Sequence, residues 1–128
     1  MTPPAWSVLV IDDDHGLLAL ACRGLQRRGF TVSGASNLAQ ARSLLAGVDF
    51  DVLVIDYQLD ENLSGLDFYH ELREQGLTIP AIMCSGFSDD EHMAQALRSG
   101  ISHVLPKSED YLDLLPDLLL RILADLTK

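Results

Sequence analysis

Positive charge is scarce in this chain: nine Lys and Arg stand against nineteen Asp and Glu, a formal charge of -10. Such a surface repels phosphate backbones and anionic headgroups, so neither nucleic acid nor a membrane is expected as a direct partner. Cysteine is nearly absent. Cys22 and Cys84 each lie inside an apolar segment, which reads as reduced core thiols and leaves neither a disulfide framework nor a sulfur-rich metal site. His15, His70, His92 and His103 show no metal-ligand spacing with one another or with the cysteines, and are read as structural or exposed. Long apolar runs are missing too. Nothing approaches the roughly 20 residues that cross a bilayer, and the opening Met-Thr-Pro-Pro-Ala-Trp lacks a basic segment followed by an apolar one. A cytoplasmic protein is the expectation.

What the chain does have is apolar content, 48% over 128 residues, enough for one core and one domain spanning residues 1–128. Short strand-like runs alternate with stretches of helical period, predicting five β-α units and an α/β fold with a doubly wound parallel sheet. The predicted strands are Val8 to Ile11, Thr31 to Ala35, Val52 to Ile55, Ala81 to Cys84 and His103 to Leu105. The first and third are continuously hydrophobic and belong at the sheet centre, whereas Thr31 to Ala35 and His103 to Leu105 suit its edges. Asn37, Ser64, Ser88 and Ser108 are candidate helix caps, Ser88 in a capping-box pattern with Glu91, and Gly29, Gly47, Gly76 and Gly100 are candidate helix stops. Leu17, Leu18, Ala21 and Leu25 share one helix face, and Leu38, Ala41 and Leu45 another. Pro116 leaves two readings for the last helix: a start near Leu115, or a kinked first turn.

The chemistry is at the strand ends. Asp12, Asp13 and Asp14 follow the first predicted strand, Asp56 the third, Ser85 the fourth and Lys107 the fifth. In an open parallel sheet this is the edge where ligands bind. Two ionised carboxylates about 4 Å apart at an effective dielectric of about 20 repel by roughly 4 kcal/mol, so a converging set calls for a cation. With no soft ligand nearby, Mg²⁺ fits, a hard ion commonly held by one or two carboxylates and a phosphate. Asp56 would then be a nucleophile toward phosphorus, with Lys107 and the metal offsetting the charge of the acyl phosphate and Ser85 donating a hydrogen bond to it. Singly, each residue has a plainer explanation as a turn former, a cap or a surface group. Asp14 reads as a cap of the first helix and stays outside the metal set, as Asp89 and Asp90 read as first-turn carboxylates.

VLVIDD at Val8 to Asp13, Asp56 after a hydrophobic strand, Ser85 after AIMC and Lys107 in VLPKS together resemble response regulator receiver domains of two-component signalling. The resemblance spans nearly the whole chain. It implies a flavodoxin-like (βα)₅ sheet of order 2-1-3-4-5. It also implies phosphoryl transfer to Asp56 from a histidine kinase or histidine phosphotransfer protein, and a conformational switch that changes binding to a downstream protein effector. Asp13, Asp56 and the backbone carbonyl of Gln58 would hold Mg²⁺, with Asp12 helping through water, while Ser85 and Lys107 contact phosphoryl oxygens. Such a domain is not an enzyme beyond its own phosphorylation and dephosphorylation. Phe87 and Gln58 match positions that in the family adjust how quickly water removes the phosphoryl group.

The chain departs from the family pattern in several places. Gly65 lies nine residues after Asp56, one more than usual, Asp60 replaces a common proline, and Ser108 replaces the proline that usually follows the lysine through a cis bond. Val104 stands where many receivers carry a switching Tyr or Phe, so the signal is expected to travel by backbone or helix movement on the fourth-helix side. The loop from Asp56 to Asp67 and the Tyr111 to Pro116 segment are similar to receivers fused to sensor kinases, and output is expected through a partner. Two other classes fit parts of the pattern. Asp12-Asp13-Asp14 also reads as the DxD of a Mg²⁺-dependent phosphatase of haloacid dehalogenase type, although His15-Gly16 does not continue that motif. A receiver-shaped interaction module that is never phosphorylated is the other.

Overall fold

The computed structural model describes residues 5–59, 63–86 and 90–126, with the side chains of Asp90 and Leu126 left out. Within these, five strands and five helices alternate: β1 (Ser7–Ile11), α1 (His15–Arg27), β2 (Thr31–Ala35), α2 (Leu38–Gly47), β3 (Val52–Asp56), α3 (Gly65–Glu74), β4 (Ala81–Ser85), α4 (Asp90–Arg98), β5 (His103–Pro106) and α5 (Tyr111–Leu126). All strand pairs are parallel and the order is β2-β1-β3-β4-β5.

Period-two alternation divides the core into two layers, because successive strand side chains point to opposite faces. Leu9, Ile11, Leu53, Ile55, Ala81 and Met83 pack with Leu38, Ala41, Phe68, Leu72 and Ala96 from α2, α3 and α4. Val8, Val10, Val52, Val54, Ile82 and Cys84 pack with Ala21, Leu25, Leu115, Leu119 and Leu123 from α1 and α5. β3 is buried throughout and β1 nearly so, whereas β2 and β5 are partly exposed, as their composition predicts for edges. β4 is buried along its whole length as well, although its run is no more apolar than four residues of sequence suggest.

The boundaries differ from the sequence reading where function lies. β3 and β4 each extend one residue further and end on Asp56 and Ser85 themselves. Asn37 caps α2, accepting from Gln40 N–H, and Ser64 with Asp67 forms a capping box on α3. Gly29, Gly76 and Gly100 take positive φ after their helices. Gly47 does not; it is the last residue of α2, and Val48 follows in extended conformation. Ser108 is not the residue flanking α5. Its carbonyl accepts from Tyr111 N–H, and Asp110 intervenes before the helix. Pro116 lies inside α5, which starts at Tyr111 and not near Leu115; the missing N–H costs one bond in a helix anchored by the buried Leu115, Leu119 and Leu123. The described peptide bonds are all trans, Lys107–Ser108 included. Asp60, Phe87, Ser88 and Asp89, and with them the capping box expected of Ser88, lie outside the described residues.

Candidate active site at the strand ends

After β2 the chain crosses back past β1 to lay down β3, so the connections diverge between β1 and β3 and leave a crevice at their carboxyl ends. Asp12 and Asp56 stand on its two sides. Val10 and Val54 are register partners and so are Ile11 and Ile55, which brings the residues that follow level with each other. Asp12, Asp56 and Ser85 are the buried polar or charged residues among those described, only 3%, 7% and 8% exposed. A protein core tolerates such groups only with partners, and all three gather at one place.

One carboxylate oxygen from each of Asp12, Asp13 and Asp56 lies within 4.8 Å of the others, Asp13 on the solvent side. Lys107 reaches into the group from beyond β5, its Nζ 2.7 Å from Asp12 Oδ2 and 3.2 Å from Asp56 Oδ2. Its main chain is fixed by the adjacent strand, Lys107 N–H donating to the Ser85 carbonyl at 2.8 Å. Asp12 is oriented at both oxygens, since Oδ1 accepts from Asp14 N–H at 2.9 Å while Oδ2 takes the lysine. Asp14 caps α1 through Leu17 N–H, as its position predicts, and is not drawn into the cluster.

The electrostatics follow from burial. Desolvation pushes the Asp56 carboxyl up from its ordinary value to about 6; Lys107 opposes that rise, the Asp12 charge adds to it, and a hydrogen bond from the Gln58 backbone opposes it again. Burial alone would lower the Lys107 ammonium, but its hydrogen bond to Asp12 and the charges of Asp56 and Asp12 outweigh this and raise it. Three carboxylates against one ammonium leave a deficit matching a divalent cation. The donor set is hard oxygen throughout, with no imidazole or thiolate in the cluster.

Sequence reasoning brought together Asp12, Asp13, Asp56, Ser85 and Lys107, and the fold places all five at this edge. Gln58 is two residues past Asp56, paired across a bridge with Ser64, and its N–H supports the Asp56 carboxylate. Cys84 is buried opposite Asp56 in the β3–β4 register, and burial holds its thiol protonated by pushing it to about 12. Two neighbours carried no signal in their spacing. Tyr111 is buried with Cys84 in the layer of α1 and α5. The Tyr57 ring meets the His92 ring on α4, centroids 5.2 Å apart. Only aromatic character next to Asp56 marked Tyr57. His15, His70, His92 and His103 are exposed and none enters a metal-ligating group among the described residues.

Comparison with known proteins agrees with this geometry. The model of the response regulator receiver domain family matches residues 8–118. The chain is 31% identical over 127 residues to protein PetR of Rhodobacter capsulatus, covering 99% of this chain and 50% of that protein. An uncharacterised 14.6 kDa protein of Leptolyngbya boryana is 34% identical over 110 residues, which is 84% of this chain and 83% of that one. The receiver domain of the Francisella response regulator 1452 superposes with a TM-score of 0.83 at 29% identity, covering 95% and 98% of the two chains. The chain belongs to the response regulator receiver domain family of two-component signalling. The haloacid dehalogenase reading has no support beside this assignment. No helix among the described residues is long and apolar enough to cross a membrane.

Proposed function

We propose that residues 1–128 act as one receiver domain in which Asp56 accepts a phosphoryl group from a phosphohistidine of a histidine kinase or histidine phosphotransfer protein. The observation that carries this is the buried Asp12–Lys107–Asp56 bridge with Asp13 beside it: charge concentrated where folding alone has no use for it. An Asp56 oxygen attacks phosphorus as the bond from phosphorus to the donor imidazole nitrogen breaks, and the electron pair leaves with that nitrogen. The product is a mixed anhydride on Asp56, which water returns to carboxylate and phosphate. Lys107 passes from the Asp56 carboxylate to a phosphoryl oxygen, and the Ser85 hydroxyl donates to another. Asp12 fixes the ammonium throughout. Asp13 and Asp56, with Asp12 and the Gln58 carbonyl, would hold Mg²⁺, which supplies charge neutralisation when bound.

The test is intact mass after incubation with acetyl phosphate and Mg²⁺. Wild type gains one phosphoryl group and Asp56→Asn gains none. An unmodified wild type would turn the assignment toward the interaction module that is never phosphorylated. Histidine kinases are the partner class that family membership implies; a downstream effector protein and residence in the cytoplasm belong to the same reading.

A further inference from the structure

α1 contains no acidic residue, and three of the nine Lys and Arg of the chain, Arg23, Arg27 and Arg28, gather at its end. α5 packs beside it and has the opposite sign, with Asp113, Asp117 and Asp125 against a single Arg121. Arg28 Nη2 and Asp117 Oδ1, 2.7 Å apart, join the two helices at the surface.

Next to this seam each helix leaves an exposed stripe. On α1, Leu20 is followed by Arg23 three residues on and Arg27 seven residues on; on α5, Leu120 is preceded by Asp117 three residues back and Asp113 seven residues back. Steps of three and four keep each trio on one side of its helix. All six side chains are exposed, the two leucines by 49% and 39%. Arg27 in the last turn of α1 and Asp113 in the first turn of α5 complement the dipoles of their own helices, but Arg23, Asp117 and the leucines lie outside that explanation. The spacing is identical, the order is reversed and the charges are opposite. Within one molecule α1 and α5 both run away from the carboxyl edge of a parallel sheet, so the two stripes are out of step. Laid antiparallel, they match position for position.

We propose that α1 and α5 form a docking face for a second copy of this chain, related by a two-fold axis that sets α1 of each copy antiparallel to α5 of the other. Leu20 then meets Leu120 across the axis, Arg23 meets Asp117 and Arg27 meets Asp113, and the symmetry makes every contact twice. Asp117 keeps Arg28 of its own chain on Oδ1 and offers Oδ2 to Arg23. The negative end of the α1 dipole also lies beside the positive end of α5. Two chains of formal charge -10 repel on approach, and a face built from one basic and one acidic helix reverses that repulsion locally.

Sedimentation of the full chain at rising concentration tests this. Wild type should pass from monomer to dimer. Arg27→Asp and Asp113→Arg each set like charges opposite one another, twice per dimer, and should raise Kd by about tenfold or more. The double variant carrying both exchanges restores opposite signs and should recover association. Leu20→Glu, exposed in the middle of α1, should weaken the dimer without touching the charges at the helix ends, and circular dichroism verifies the fold of each variant. A wild type that stays monomeric at millimolar concentration leaves the face to a different protein and overturns the proposal. So does a dimer indifferent to the single exchanges, or a double variant that associates no better than either single one.

Discussion

Lys107 serves two carboxylates at once, and that double duty sets what its removal does. Asp12 and Asp56 are too deeply buried for water to replace the ammonium. Breaking a buried pair by deleting one partner costs about 3 to 5 kcal/mol, because the surviving charge is left uncompensated. Lys107→Ala should therefore lower the urea midpoint by an amount corresponding to about 3 kcal/mol in buffer free of divalent ions. It should also slow phosphorylation by acetyl phosphate by about a hundredfold, the order of effect seen when one positioned donor to a developing anion is lost. Arg42 and Glu71 form the contrasting case. Their bidentate pair joins α2 to α3, but both side chains are substantially exposed, so replacing either should change stability little.

Elements were legible where the chain states its own period. The unbroken hydrophobicity of Val8 to Ile11 and Val52 to Ile55 predicted central strands, and the cap at Asn37 and the glycines at 29, 76 and 100 lie where their chemistry placed them. Gly47 and Ser108 failed because residue type was the only guide: each suits a helix end, but Gly47 is still inside α2 with Val48 as its cap, and α5 begins three residues past Ser108. Gly65 needed the structure most. Its N–H closes the loop onto the Tyr57 carbonyl, and the first residue of α3 is thereby pressed against the end of β3. A Cβ there would collide with the Asp56 carbonyl oxygen and come 2.9 Å from Ile55 Cγ2. Gly65→Ala should destabilise the domain by about 3 kcal/mol, read as a fall in the urea midpoint, since neither β3 nor α3 can retreat from a packed core. The site itself was readable from strand ends alone. The Tyr57–His92 contact was not, since 35 residues separate two rings that only the placement of α4 brings together.

For the whole molecule, an acid buried at the centre of the sheet makes global stability depend on pH in an unusual sense. Asp56 titrates near 6 when folded and near 3.8 when unfolded, so between these values the folded state binds more protons. Stability then falls as pH rises, the reverse of a salt-bridged carboxylate. The contribution is about 3 kcal/mol across the two-unit difference in metal-free buffer. Urea midpoints measured from pH 4 to 7 should decline more steeply in wild type than in Asp56→Asn, which has no proton to lose. Equal slopes would show that Asp56 titrates at the same pH folded and unfolded.

The proposed phosphoryl-accepting site is assembled from residues at or just past four strand ends, and only the completed sheet brings them together. A nascent, misregistered or partly melted chain would present only scattered, hydrated side chains to a phosphodonor. Labelling at residue 56 is therefore an assay of structural integrity in its own right: whatever takes the label has already completed its sheet.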